Sequence, residues 1–145
     1  MTCELLEKMN VEVEEAFVED REGVEEEQVL VSVKVKNPAG LIGLKGRNLA
    51  SVQTVLSLIV KNKLGRWLGV LLDVNNYRDE QKKRLEKMVE MAAKKIKQTG
   101  EVVELPKMSS YERRICHLKA GEMGDIITES EGEEGERHVV IKLKV

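Results

Sequence analysis

The run Val29-Leu30-Val31-Ser32-Val33-Lys34-Val35-Lys36 is β-branched and alternates from Val31 onward, which predicts a strand with one face in a core. Asn37-Pro38-Ala39-Gly40 breaks it. Residues 47–63 then carry Leu49, Val52, Leu56, Ile59 and Val60 at three- and four-residue spacing, with Ser51, Gln53 and Lys61 on other faces. That pattern predicts an amphipathic helix, closed by Gly65. Trp67 to Val74 reads as a buried strand. A strand, a glycine-bearing loop, a helix and a second strand make up this part of a chain that reads as an α+β protein.

The flanking segments add elements of the same kind. Thr2 is placed to cap a short helix through Met9, with Leu5, Leu6 and Met9 as its apolar side. Val11, Val13 and Phe17 read as a strand with acids on its wet face, and residues 21–27 as a hairpin loop. Asn75-Asn76 forms a turn, after which Tyr77 to Gln98 reads as a long helix with the stripe Leu85, Met88, Val89, Ala92 and Ile96, stopped by Gly100. Glu101 to Leu105 predicts a short strand. Ser109 and Glu112 have the spacing of a capping box, opening a helix to about Lys119. Ile126 to Thr128 and Val139 to Val145 read as two strands joined by the acidic loop ESEGEEGE. A boundary near Asn75-Asn76 divides the chain into two small domains, 1–75 and 76–145.

Charge is distributed unevenly along the 145 residues, although the formal net charge is only −2. Residues 1–27 hold eleven acids against two bases, whereas residues 28–72 hold seven bases and no acid. An acid-free stretch in a chain with 26 acids predicts a positive surface on one substructure, the electrostatic footprint of phosphate binding. A basic face pairing with the acidic N-terminal segment is the competing explanation, and charge alone does not separate the two.

Two motifs carry the functional argument. The first is Leu41-Ile42-Gly43-Leu44-Lys45-Gly46-Arg47, a hydrophobe followed by GxxG at the start of the 47–63 helix, inside the acid-free stretch. Glycines at both ends let a backbone approach a phosphate, while the helix N–H groups, its dipole and Lys45 supply positive potential. This arrangement resembles a KH domain, and the element order resembles the type II topology. The resemblance implies that Gly43, Leu44, Lys45 and Gly46 clamp a nucleic-acid backbone, with Arg47 beside them and Ile42 lining an apolar groove for the bases.

The second motif is Tyr111-Glu112-Arg113-Arg114-Ile115-Cys116-His117, in which helical spacing puts Arg113 and His117 on one face. Arginine offers a planar, permanently charged phosphate fork and imidazole adds a donor and a stacking surface. An isolated pair of this kind is more often a surface Arg beside a half-buried His. The preceding long helix and short strand, with the following TESEG and RHVVIK, resemble the small nucleic-acid-binding domain named for its RxxxH pair, the R-three-H domain.

A type II KH domain followed by an RxxxH domain is similar to the bacterial Jag (KhpB) family, on LIGLKGRNLASVQ, LDVNNYR, KMSSYERRICHL and TESEGEEGERHVVIK. Two departures stand out. The small N-terminal domain of many relatives is not expected here, and Ser109-Ser110 replaces the usual Asn-Pro before the RxxxH helix. The resemblance implies single-stranded RNA binding in the bacterial cytoplasm, a role as RNA chaperone or regulator in cell elongation and division, and a small KH-domain partner protein. Single-stranded DNA binding and an adaptor role at the membrane-protein insertase are the alternatives.

Other chemistry finds little footing. Four aromatic residues are too few for a base-stacking aromatic sheet. Cys3 and Cys116 have no CxxC spacing, and His117 and His138 have no neighbouring ligands at metal spacing, so no metal or other cofactor is expected. Cys116 adjoins His117 but points about 100° away on a helix, which predicts a packed core thiol rather than a nucleophile. No enzyme activity is expected. No apolar run is long enough for a membrane span, and the opening MTCELLEKMN lacks the apolar segment of a signal peptide.

Overall fold

The computed structural model describes residues 1–21 and 27–145. The hairpin loop expected over 21–27 lies, except for its end residues, outside the described residues. The chain forms two compact units, Met1–Arg78 and Asp79–Val145, each with a three-stranded sheet.

In the first unit the order is α1 (Thr2–Lys8), β1 (Val13–Asp20), β2 (Gln28–Val35), α2 (Pro38–Ile42), a 3-10 turn (Leu44–Gly46), α3 (Arg47–Leu64) and β3 (Gly69–Val74). The central strand β2 pairs antiparallel with β1, with Phe17 opposite Ser32, and parallel with β3, with Val31 opposite Leu72. Alternation sends Val31, Val33 and Val35 of β2, and Val70, Leu72 and Val74 of β3, into one core. There they meet Leu49, Val52, Leu56 and Val60 of α3 and Leu6 of α1. Ile59, expected in that stripe, is only half-buried. Gly65 takes a left-handed conformation and donates its N–H to the Lys61 carbonyl, while Lys61 and Lys63 complement the negative end of the helix.

Several local expectations are corrected. Thr2 lies inside α1, whose N-cap is Met1, and no side chain caps it. The Asn37-Pro38-Ala39-Gly40 break ends β2 but is itself largely helical, because Pro38 at the first helical position pre-sets the backbone for α2. Beyond Val13, β1 is exposed throughout, including Phe17 and Val18, because it is an edge strand that the helices do not cover. Trp67 precedes β3 rather than lying in it, and is exposed, with the Lys61 ammonium 5.7 Å from its ring centroid.

In the second unit α4 (Tyr77–Thr99), which begins in the first, leads through β4 (Val103–Glu104) to α5 (Ser110–Met123), β5 (Ile126–Glu131) and β6 (His138–Leu143). The sheet is antiparallel throughout, in the order β4-β6-β5. Leu85, Val89, Ala92, Ala93 and Ile96 of α4 pack with Ile115, Cys116 and Ala120 of α5 and with Ile126, Val139 and Ile141. Helix α5 extends past the expected end at Lys119 to Met123, where Gly124 caps it in the left-handed region. Cys116 is fully buried, its thiol 3.7 Å from the Met108 sulfur, and burial pushes its pKa up to about 11. It is a core thiol, as its helical position predicts. Among the described residues no helix is long and apolar enough to cross a membrane.

Candidate nucleic-acid interface

The first candidate surface is the turn between α2 and α3. Gly43 has φ 70° and ψ −175°, a region open essentially to glycine alone. A Cβ there would lie 2.6 Å from Cγ of Asn48, whose Nδ2 donates to the Gly40 carbonyl at 2.8 Å. Asn48 therefore ties the first turn of α3 back to α2 and uses the space that the glycine leaves. Gly46, at φ 79°, is the N-cap of α3, and a Cβ on it would come within 3.1 Å of the Tyr77 ring. Lys45 is also left-handed, at φ 52°.

This backbone presents Leu44, Lys45 and Arg47 to solvent, with Leu44 74% exposed, while Ile42 is half-buried against the core. The first turn of α3 contains no acid, and Gly46 has no side chain to accept its N–H groups. Those donors and the positive end of the helix dipole face the turn with no acid in the first turn of α3 to neutralise them. The geometry is that of an anion-receiving turn.

Beside it, the free edge of β3 is occupied by side chains. Gln53 Oε1 accepts from the Leu72 N–H at 2.9 Å and from Arg78 Nη2 at 2.8 Å, and Arg78 Nε donates to the Leu72 carbonyl at 3.1 Å. Asn75 continues the sheet pairing with its amide, accepting from the Val35 N–H and donating to the Val35 carbonyl. Sequence reasoning missed Asn48, Gln53 and Arg78 as partners. Helical periodicity places Gln53 off the apolar stripe, but only the tertiary fold brings it to Leu72.

The second candidate surface is built on α5. Ser109 Oγ accepts from the Glu112 N–H, and Glu112 Oε2 accepts from the Ser109 N–H, so the capping box is closed. Glu112 is buried, and its other oxygen accepts from Gln81 Nε2 at 3.0 Å. That rigid start orients the following turn, where Arg113 donates through Nη2 to Ser110 Oγ at 2.9 Å. Arg113 Nε is buried and has no hydrogen-bond partner among the described residues.

One turn further on, His117 Nδ1 lies 2.7 Å from Thr128 Oγ1 and Nε2 lies 2.8 Å from Ser130 Oγ, so two hydroxyls of β5 engage both ring nitrogens. Burial, and then the neighbouring Arg113 charge, lower its pKa below 6.5, which favours the neutral ring. Arg137 donates to the Gly132 and Ser130 carbonyls and joins the same end of the sheet. Thr128, Ser130 and Arg137 were not singled out from sequence. The period-two spacing of Thr128 and Ser130 in TESEG is the signal that points to them. Of the acids expected in one loop over 129–136, Glu129 and Glu131 lie in β5 and pair with Lys142, and Glu136 pairs with Lys107. Among the described residues no group of acids, histidines and cysteines is placed to hold a metal.

The helical RxxxH pair, the capping box and the three short strands give the second unit the architecture expected of the R-three-H class of domain that the motif suggested. The family model of the R-three-H domain matches residues 83–143. The chain is 39% identical over 119 residues to the RNA-binding protein KhpB of Clostridium symbiosum, covering 82% of this chain and 54% of that relative. Against the proteins of the same name from Bacillus subtilis and Lactiplantibacillus plantarum, identity is 33% over 106 residues and 30% over 104. Each alignment covers 72% of this chain, and respectively 51% and 32% of the relative. The chain belongs to the KhpB (Jag) family and spans a third to about half the length of those relatives.

Proposed function

We propose that the chain binds single-stranded RNA through two surfaces, a KH-type clamp at residues 42–47 and the RxxxH face of Arg113 and His117. The observation that carries this reading is the Gly43–Gly46 turn. Its backbone is open only to glycine at Gly43, its side chains are basic or solvent-facing, and the segment around it has no acid from residue 28 to 72. Relatives named as RNA-binding proteins favour RNA as the ligand over DNA. The clamp takes the phosphate backbone, Ile42 and the neighbouring apolar surface accept unpaired bases, and the RxxxH face adds phosphate contacts. The domains 1–75 and 76–145 then act as two grips on one strand. The cellular role that fits such a grip is that of an RNA chaperone or regulator in the cytoplasm, with a small KH-domain protein as partner and no catalysis.

Replacing Leu44 and Lys45 together by Asp tests the reading. Both side chains face solvent, so the circular dichroism spectrum stays that of the parent protein. Two carboxylates where a phosphate must sit lower the affinity for single-stranded RNA by about tenfold or more. Unchanged affinity in a folded variant refutes the clamp. Affinity for a blunt RNA duplex equal to that for a single strand refutes base recognition in a groove.

A further inference from the structure

The ring of His117 has no nitrogen left for a ligand, because Thr128 Oγ1 and Ser130 Oγ sit at 2.7 and 2.8 Å from its two nitrogens. A direct histidine–phosphate contact would require breaking one of these bonds. The hydroxyls have capacity to spare, since each offers one proton and two lone pairs. We propose that Thr128 and Ser130, oriented by His117, are phosphodiester contacts of the RxxxH face, and that a phosphate bound there draws a proton onto His117. The proposal rests on the reading that the chain binds single-stranded RNA.

The chemistry follows from counting protons. Neutral imidazole has one N–H and one lone pair. The N–H donates to one hydroxyl oxygen, leaving that hydroxyl's own proton for an outside acceptor. The lone pair takes the proton of the other hydroxyl, which then turns only lone pairs outward. Neutral His117 thus offers an anion one donor and one repelling oxygen. When His117 takes one proton from solvent, both ring nitrogens donate, both hydroxyls are released to donate outward, and the site gains a positive charge. The hydroxyls and the ring act as one unit whose donor count depends on a single proton.

The surroundings suit a phosphate. Arg113 lies one helical turn from His117, and its charge is the one that bears on the ring. Arg137 holds the Ser130 carbonyl through Nη2 at 3.3 Å. Opposite Thr128 and Ser130 across the sheet stand Ile141 and Val139, both apolar. Glu129 and Glu131 alternate onto the other face of β5, where Lys142 pairs with them. No carboxylate on the hydroxyl-bearing face of β5 or in its pairs on β6 neutralises His117. Burial and Arg113 favour the neutral ring in the free protein, and a phosphate accepted by Arg113 offsets that repulsion. Binding therefore raises the ring's pKa, and by linkage affinity rises as pH falls, by about tenfold for each unit of the rise.

The test uses the full chain carrying His138→Gln, which leaves His117 as the sole histidine. Nitrogen-detected NMR follows the His117 ring through a pH titration with and without a single-stranded oligouridylate of about 20 nucleotides. The expected result is a titration midpoint moved upward by RNA. In parallel, RNA affinity measured at about pH 6 and pH 8 is expected to be roughly three- to tenfold tighter at the lower value. Thr128→Val with Ser130→Ala weakens binding and removes the pH dependence, whereas Thr128→Ser with Ser130→Thr keeps both. A His117 midpoint unmoved or lowered by RNA overturns the proposal even if the hydroxyl variants fail to fold. So does a folded Val/Ala double variant with parental affinity and pH dependence. A chain that binds no single-stranded RNA at either pH overturns the parent reading and this proposal with it. Binding that is lost on changing Leu44 and Lys45 but indifferent to the hydroxyls overturns this proposal alone.

Discussion

Gly43 and Gly46 shape the candidate surface of the first unit through the backbone, whereas Arg113 and His117 in the second are oriented by contacts between side chains. In the first unit the groups the turn presents are N–H groups and solvent-facing chains, between two glycines where a Cβ would meet Asn48 or Tyr77. In the second, a closed capping box, a buried Glu112–Gln81 bond and two hydroxyls on β5 fix where the basic groups stand. A backbone-built turn is sensitive to any added methyl but tolerant of side-chain identity. A side-chain-built face has the opposite sensitivities, since it fails when one buried partner is removed and absorbs conservative changes in size. The contrast can be broken or sharpened by substitutions that act on one device at a time.

The largest effect is expected from Glu112→Ala. It removes the reciprocal cap of α5 and leaves Gln81 Nε2 without its acceptor, at a combined cost of about 2–4 kcal/mol, read by chemical denaturation. A cost near that of an ordinary surface change would show that the face does not depend on its buried polar start. Next is Gly43→Ala, which meets Asn48 and forces a glycine-only conformation, costing about 2–3 kcal/mol. Gly46→Ala meets only the edge of the Tyr77 ring and should cost about 1 kcal/mol. Equal costs at the two glycines would place the constraint in φ alone rather than in the Asn48 brace.

A smaller effect belongs to Arg113→Ala with His117→Ala. Affinity for a long single-stranded RNA should fall several-fold, while affinity for a tetranucleotide that fills only the proposed clamp stays unchanged, both by fluorescence anisotropy. The second surface then contributes through effective concentration on one chain rather than through strong binding of its own. Equal losses for both ligands would mean that α5 acts as a structural support. The smallest effect concerns pH. The folded pKa of His117 lies below the ordinary 6.5, so the unfolded chain binds the proton more readily. The stability this contributes is complete above 6.5 and is lost as pH falls from there through the folded value. The midpoint of thermal unfolding should decline between about pH 7.5 and 5.5 more in the parent protein than in His117→Gln, and an equal decline would locate the acid sensitivity elsewhere.

Much of the fold was legible in short-range pattern. The valine alternation of β2, the α3 stripe closed by Gly65, the α4 stripe closed by Gly100 and the Ser109–Glu112 capping box depend on spacings of two to four residues, and each has its counterpart in the structure. Trp67 and β1 read less well, because an apolar residue next to a strand gives no sign of whether a helix will cover it. Phe17, read in step with Val11 and Val13, is exposed, and so is Val18, whereas the other edge strand, β3, buries Val70, Leu72 and Val74 under helix α3.

The sequence by itself determined the devices made by neighbours along the chain. Among them are the glycine turn before a basic helix, the acid-free stretch, the capping box, and the helical spacing that puts Arg113 and His117 on one side. Tertiary structure alone decided what those devices meet. Asn48 fills the space over Gly43, Gln53 and Arg78 take the polar groups of Leu72, and Thr128 and Ser130 hold both nitrogens of His117. The physical reason is range. Propensities, caps and turns act within a few bonds and leave a mark at fixed spacing. A hydrogen bond between a helix and a strand depends on the packing of a whole core, and that packing is written nowhere in the local order of residues.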